Sequence, residues 1–151
     1  MPRVIISDTS CFIILSKIGE LNLLQKVYGE VATTVDIINE YGDDLPAWVK
    51  VTEVNDKQRQ ALLEMQVDKG ESSAIALALE TSNSTLILDD YKARKIADQL
   101  HIPFTGTIGI IIKAKRLGFI PLVKPILERM KKFDFRISDE IEIQALKEAG
   151  E

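Results

Sequence analysis

Short apolar runs alternate along this chain with longer segments whose apolar residues recur at helical spacing. The runs are rich in β-branched residues and end in polar positions, which is typical of buried strands. They predict strands at residues 4–6, 31–33, 49–54, 85–88 and 102–104. The longer segments predict helices at residues 12–27, with a hinge at Gly19, and at 35–41, 70–79, 91–100, 107–117, 121–132 and 139–149. Another helix is expected after a cap at Asn55, and the last helix after a cap at Asp139.

Strands that alternate with helices favour right-handed crossover connections, which produce a parallel sheet with helices on both faces. The predicted fold class is therefore α/β, a three-layer α/β/α sandwich around a central parallel sheet. The 151 residues match one domain of ordinary size, and no linker or low-complexity tract divides them. We expect a single domain over residues 1–151, with a C-terminal helical extension from about residue 121.

The composition restricts the chemistry open to the protein. The single cysteine, Cys11, cannot form an internal disulfide or a cysteine-based zinc site, and the single histidine, His101, excludes a histidine-dependent triad. The apolar runs stay far below the roughly 18 residues of a membrane span. We therefore expect no membrane segment and, without a signal-peptide pattern, a cytoplasmic protein. Carboxylates, hydroxyls and basic side chains remain as reactive groups.

Charge is divided unevenly along the chain. The net charge is −4, but residues 91–136 carry 11 Lys and Arg against three acids, which leaves 8 basic and 20 acidic residues elsewhere. The acidic total argues against a protein that coats nucleic acid indiscriminately. The basic stretch either forms solvated helix faces or supplies a surface that follows a nucleic-acid backbone.

Carboxylates follow two of the predicted strands. Asp8 comes after the first strand, and Asp89 and Asp90 come after residues 85–88. In an open parallel sheet such positions converge on the edge where ligands bind. Glu71 lies in the first turn of one helix and Glu40 near the end of another. Taken singly, Asp8 and Asp90 are explained as caps of the helices that follow them, and Glu71 as a favourable charge in a first helix turn.

Together, these acids need a countercharge, since unit charges about 4 Å apart repel by roughly 4 kcal/mol at an effective dielectric of about 20. Oxygen ligands without histidine or cysteine favour Mg²⁺ or Mn²⁺ over zinc or copper. The acids therefore predict a site for one of these hard divalent cations.

Four motifs in this order resemble the PIN domains, the nuclease family of VapC-type toxins. They are IISDTS at residues 5–10, GESSAIALA at 70–78, LILDDYKAR at 86–94 and TGTIG at 105–109. The resemblance extends over nearly all of the first 120 residues. It is to a PIN-like branch that commonly reads Gly-Glu-X-Glu-Ala. This chain departs from that motif, because Ser73 stands in the second acidic place.

The resemblance implies a metal-dependent endoribonuclease that hydrolyses RNA phosphodiester bonds with a carboxylate cluster. The catalytic residues that it implies are Asp8, Glu40, Glu71 and Asp90, with Asp89 as a helper. It implies that Asp8, Glu71, Asp89 and Asp90 hold Mg²⁺ or Mn²⁺. An antitoxin protein is a partner expected for a toxin of this type. We also expect a homodimer, because such proteins often pair and because the helices at 107–117 and 121–130 are highly apolar.

Two groups of alternative functions compete with the nuclease, and the first does not match the positions of the acids. A haloacid-dehalogenase phosphatase needs Asp-X-Asp after its first strand, where this chain has Asp8-Thr9-Ser10, and a response-regulator receiver needs its paired acids on a different strand. The stronger alternative is a PIN-fold binding module that no longer cuts RNA. Ser73 favours this alternative, because it removes one of the acids of the motif.

Overall fold

The computed structural model describes residues 3–151 and has a parallel sheet at its centre. Its strands are β1 Val4–Ser7, β2 Val31–Thr34, β3 Val49–Thr52, β4 Ser84–Ile87 and β5 Phe104–Thr105. Their order across the sheet is β3-β2-β1-β4-β5, and every neighbouring pair is parallel. The two strands expected to carry acids, β1 and β4, are neighbours, with Ser7 opposite Ile87. The predicted α/β class is confirmed.

Helices connect the strands and cover the sheet. They are α1 Thr9–Lys17, α2 Asn22–Tyr28, α3 Val35–Tyr41, α4 Lys57–Leu63, α5 Lys69–Leu79, α6 Tyr91–Gln99, α7 Thr107–Arg116, α8 Lys124–Lys132 and α9 Asp139–Glu148. Within residues 3–151, none of these helices combines the length and hydrophobicity needed to span a bilayer.

The core lies on both faces of the sheet. Ile6 of β1 and Leu86 of β4 are completely buried in its middle strands. Helix α5 contacts β1, β2 and β4, and its buried face is made of small residues such as Ala74 and Ala76. Small side chains let the α5 backbone approach the sheet closely. This packing fixes the start of α5, and with it Glu71, near the carboxyl ends of the strands.

The expected cap at Asn55 is wrong by one residue. The carboxylate of Asp56 accepts the backbone N–H of Arg59 at 3.0 Å and begins α4. The backbone N–H groups of Asn55 and Asp56 both donate to the carboxylate of Glu80, just beyond α5, at 2.7 and 3.2 Å. A contact across 24 to 25 residues of sequence therefore holds the backbone just before α4.

The expected cap at Asp139 is also wrong by one residue. The hydroxyl of Ser138 accepts the backbone N–H of Ile141 at 3.2 Å, so Asp139 is the first residue of α9. Asp139 is still favourable there, because an acidic side chain in the first turn interacts well with the helix dipole. At the other predicted boundaries, β5 begins two residues late, at Phe104, and α8 begins three residues late, at Lys124. Strand β3 ends two residues early, at Thr52, and α1 begins three residues early, at Thr9.

The apolar side chains of α7 and α8 are used within the chain itself. Ile110 and Ile111 of α7 and Leu127 and Met130 of α8 are completely buried in the core. Their apolar content therefore does not call for a second subunit. The homodimer stays a prediction, without this argument in its favour.

Candidate active site

Asp8 joins the ends of the two central strands. One oxygen of its carboxylate accepts the backbone N–H of Cys11 at 3.0 Å and caps α1. The other oxygen accepts the backbone N–H of Asp89 at 3.1 Å, from the residue that follows β4 by two positions. Because both oxygens are held by backbone groups, the direction of the carboxylate is fixed. The expected convergence of the β1 and β4 acids is present in the structure.

The charge of Asp8 is poorly compensated. The side chain is only 3% exposed. This burial raises the pKa of Asp8 well above its usual value, and the negative charges of Asp89 and Glu71 raise it further, against the lowering effect of the two backbone N–H groups. Within residues 3–151, no lysine or arginine forms an ion pair with any of the five predicted site acids.

Glu71 lies in the first turn of α5, at the centre of a second group of acids. Asp68 caps this helix by accepting the backbone N–H of Glu71 at 2.8 Å. Partial burial raises the pKa of Glu71 to about 7, and the charges of Asp68, Asp90 and Glu40 contribute in the same direction. The acids predicted from different helices and strands therefore act on one another electrostatically.

Glu40 reaches this group from the end of α3. A Cβ atom placed on Gly70 would lie 3.3 Å from both carboxylate oxygens of Glu40 and 3.4 Å from the hydroxyl oxygen of Thr9. The glycine therefore allows Glu40 and Thr9 to approach the start of α5. The Thr9 hydroxyl is buried and has no hydrogen-bond partner among residues 3–151. Such a group is normally satisfied by a ligand or an ordered water.

The adjacent acids Asp89 and Asp90 have different surroundings. The carboxylate of Asp89 accepts the backbone N–H of Thr107 at 2.8 Å and its hydroxyl at 2.6 Å, which ties β4 to the start of α7. The carboxylate of Asp90 accepts the backbone N–H of Ala93 at 3.0 Å and caps α6. Asp89 is half-buried and Asp90 is exposed. The N-cap residue of α7 is Gly106, so Thr107 is the first residue of that helix.

Ser73 makes its hydrogen bonds with Thr34 and Gly70. It is completely buried, its hydroxyl lies 2.6 Å from the hydroxyl oxygen of Thr34, and it donates to the carbonyl of Gly70 at 2.7 Å. The hydroxyl of Thr34 in turn caps α3 by accepting the backbone N–H of Ile37. The position that is acidic in the related motif therefore links α5 to β2 in this chain.

Two residues of the site were missed from the sequence. Asp68 has a sequence signal, because an aspartate three residues before a glutamate at a helix start is a capping pattern. Thr9 has none: its position next to Glu40 depends on Gly70 and on the packing of α1 against α3.

The predicted basic stretch does not form one surface at the site. The ammonium group of Lys113 lies 4.9 Å from the centre of the Tyr28 ring, and Lys115 pairs with Glu151 at 3.0 Å. These residues lie in the last turn of α7, whereas the first residue of that helix, Thr107, contacts the acids. Arg94 and Arg136 are the basic residues that share a groove with Asp89.

The donor set fits a hard divalent cation in chemistry and charge. It offers only oxygen atoms, carries several negative charges without a cationic partner, and includes the unsatisfied Thr9 hydroxyl. Within the described chain, no group of three or more histidine, cysteine, aspartate or glutamate side chains is arranged so that it could hold a metal ion. An open cluster is consistent with Mg²⁺, which usually keeps several waters and binds few carboxylates.

A family model described as a PIN domain matches residues 4–151. The chain therefore belongs to the PIN-domain family, as the four sequence motifs indicate. PIN domains are generally nucleases that act on RNA and typically use divalent metal ions. No curated protein and no solved structure matches the chain.

The metal-free protein is expected to lose stability as the pH rises from about 4.5 to about 7. Glu71 has a higher pKa in the folded than in the unfolded state, so the folded state binds its proton more tightly. Stability is therefore greatest below the unfolded pKa and is lost as the pH rises through the folded pKa. The raised pKa of Asp8 acts in the same direction. Urea unfolding in EDTA across this range measures the effect.

The Glu71→Gln variant should show a shallower fall of stability with pH. Glu64→Gln is the matched control, because Glu64 is exposed at the end of α4 and should leave the fall unchanged. A free energy of unfolding that stays constant in the wild type over this range would contradict the prediction.

Proposed function

We propose that the protein is a metal-dependent endoribonuclease that hydrolyses RNA phosphodiester bonds at this carboxylate cluster. The observation that carries the proposal is Asp8, a carboxylate that is only 3% exposed, lies among other acids and has no cationic partner within residues 3–151. Burying such a charge is costly unless something compensates it. A divalent cation would supply that compensation and would also take part in the hydrolysis.

The residues have separate roles in this proposal. Asp8, Glu71, Asp89 and Asp90 hold Mg²⁺ or Mn²⁺, which lowers the pKa of a bound water and stabilises charge on the phosphate oxygens. The backbone N–H groups on Asp8 and the Thr107 groups on Asp89 keep those two carboxylates in place. Glu40 and the free hydroxyl of Thr9 orient a water on the side of α5.

The test is cleavage of single-stranded RNA by the purified protein. Cleavage should require Mg²⁺ or Mn²⁺, stop when EDTA is added, and return when the metal is supplied in excess. Mn²⁺ titration in a calorimeter should give saturable heat. RNA cleavage that is insensitive to EDTA would contradict the proposed metal chemistry.

The second candidate is a PIN-fold binding module without cleavage activity. Ser73 favours it, because the hydrogen bonds of this residue to Thr34 and Gly70 replace an acid of the related motif. This candidate predicts RNA binding with neither Mn²⁺ heat nor cleavage, so the same two measurements separate the functions.

Two partners belong to the proposal. A toxin of this type would be held inactive by an antitoxin protein, which co-purification from a strain that expresses both genes would reveal. We also propose a homodimer, for which light scattering should give twice the 16.9 kDa mass of the chain. A mass equal to that of one chain would contradict the dimer.

A further inference from the structure

A groove of about 520 Å³ opens beside Asp89. One wall is formed by β5 and α7, and the other by α9 and the residues before it. Its basic and aromatic lining residues are Arg94, Phe104, Phe135 and Arg136. The volume lies within the range of pockets that hold small organic ligands, about 300 to 1,000 Å³. The groove therefore has room for a molecule the size of a nucleotide next to the carboxylate cluster.

Arg94 is fixed at the end of this groove that lies nearest the acids. Its Nε donates to the carbonyl of Leu88 at 2.6 Å, and its guanidinium lies 5.5 Å from the centre of the Phe104 ring. In the described residues it forms no ion pair with a carboxylate. Its position is thus set by a backbone carbonyl and an aromatic face, while its positive charge is available to a ligand.

Gly106 makes room for the arginine. A Cβ atom at this position would lie 1.9 Å from Nη2 of Arg94 and 3.0 Å from Oδ1 of Asp89. Arg94 and Asp89 therefore flank the same glycine, one as a cation and the other as a proposed metal ligand. A phosphate held by the metal at Asp89 would lie near the guanidinium, whose planar fork of N–H donors matches two oxygens of a phosphate group.

The far part of the groove suits a base rather than a phosphate. Phe135 and Ile108 provide apolar surface, and Gln144 and Glu140 of α9 provide amide and carboxylate groups. The carboxylate of Glu140 repels phosphate and accepts hydrogen bonds from amino groups, which several nucleobases carry. This part of the groove carries two carboxylates, Glu140 and Glu148, against one guanidinium, that of Arg136, so its net charge is negative. The charge distribution thus places the phosphate at the Arg94 end and the base at the α9 end.

We propose that this groove binds one nucleotide of single-stranded RNA adjacent to the cleaved phosphate, with Arg94 as the phosphate-binding residue. A base can enter the groove only when it is unpaired, which excludes an intact duplex. The proposal rests on the proposed function in one respect, that RNA is the substrate.

The test measures binding separately from cleavage. A fluorescent single-stranded oligonucleotide with 2′-O-methyl riboses cannot be cut through its 2′-hydroxyl groups, and EDTA removes the metal. Arg94→Gln should weaken the affinity of the protein for this oligonucleotide by about ten- to hundredfold, the loss expected when hydrogen bonds to a charged group are removed. The slope of log affinity against log salt should become shallower by about 0.7, the value of one phosphate contact on a single strand.

Matched variants separate a binding role from a structural one. Lys95 is exposed on the same helix and does not line the groove, so Lys95→Gln should bind like the wild type. Phe135→Ala should weaken binding without changing the salt slope, because it removes apolar surface and no charge. This variant also tests the groove if Arg94→Gln, which loses its contact with Leu88, fails to fold.

The outcomes distinguish this inference from the proposed function. Weak binding by Arg94→Gln or Phe135→Ala supports the groove even if the wild type never cleaves RNA. Wild-type affinity in both variants overturns the groove even if the protein is an active ribonuclease. Absence of oligonucleotide binding by the wild type also overturns it.

Discussion

Replacing Asp8 by asparagine should lower the rate of RNA cleavage by roughly a thousandfold. The substitution removes a charge from the most buried of the clustered acids. Metal ions contribute several kcal/mol to the stabilisation of charge in a phosphoryl transition state, and each 1.36 kcal/mol corresponds to about a tenfold change in rate. Single-turnover cleavage at saturating Mg²⁺ measures the loss. Mn²⁺ titration of the same variant should give much weaker heat.

The Asp8→Asn protein is expected to remain folded, because two effects of the substitution oppose one another. Asparagine cannot accept both backbone N–H groups, and an unpaired buried donor costs about 1–3 kcal/mol. It also removes a buried charge whose ionisation is unfavourable in the metal-free protein. Asp44→Asn, at an exposed loop position, is the matched control and should cut RNA at the wild-type rate. A folded Asp8→Asn protein with undiminished activity would place the active site elsewhere.

The parallel sheet was predictable because each strand carries its own evidence. Residues 85–88 form a β-branched and leucine-rich run with an acid after it, and such a run is buried on both faces only in a covered parallel sheet. The chain order of strands and helices then requires crossover connections. That Asp8 and Asp89 meet follows from β1 and β4 being neighbours, which the sequence only suggested.

Exact helix boundaries depended on contacts that no local pattern contains. Asn55 and Asp56 are both good capping residues, and the backbone of both is held by the carboxylate of Glu80, a contact distant in sequence, while Asp56 provides the cap. Likewise, the basic residues at the end of α7 looked available to a nucleic acid. Their contacts are made with Tyr28 and with the last residues of the chain, which are distant in sequence.

Within the site, the sequence identified the acids but not their neighbours. The role of Gly70 as the point where Glu40 approaches α5 is invisible in a linear pattern, because it depends on how α3 packs against α5. The same holds for Gly106, which lies in a recognised motif but whose steric relation to Arg94 is defined only by the fold. The sequence could not show which of the adjacent Asp89 and Asp90 is the more important metal ligand, since both follow the same strand.

The structure allows that ranking. Asp89→Asn should reduce cleavage by roughly a thousandfold, as a lost metal ligand does when several kcal/mol are removed. Asp90→Asn should reduce it by about 10- to 100-fold, a loss of roughly 1.4 to 2.7 kcal/mol, because Asp90 is an exposed ligand that water replaces at less cost. Asp89 raises the pKa of buried Asp8, whereas Asp90 acts on the half-buried Glu71 and caps α6. Asparagine caps a helix about as well as aspartate, so the second variant keeps its helix start.

Thr107 provides a further check on the role of Asp89. Thr107→Val removes the hydroxyl that donates to Asp89 at 2.6 Å but keeps the backbone N–H at 2.8 Å, and Thr107→Ser keeps both donors. We expect the valine variant to bind Mn²⁺ more weakly and the serine variant to bind it like the wild type. A merely structural hydroxyl would lower the unfolding temperature of the valine variant without changing its Mn²⁺ affinity.

The outcome that would contradict the ranking of the two aspartates is a greater loss of activity in Asp90→Asn than in Asp89→Asn. Exposed Asp90 would then be the principal metal ligand.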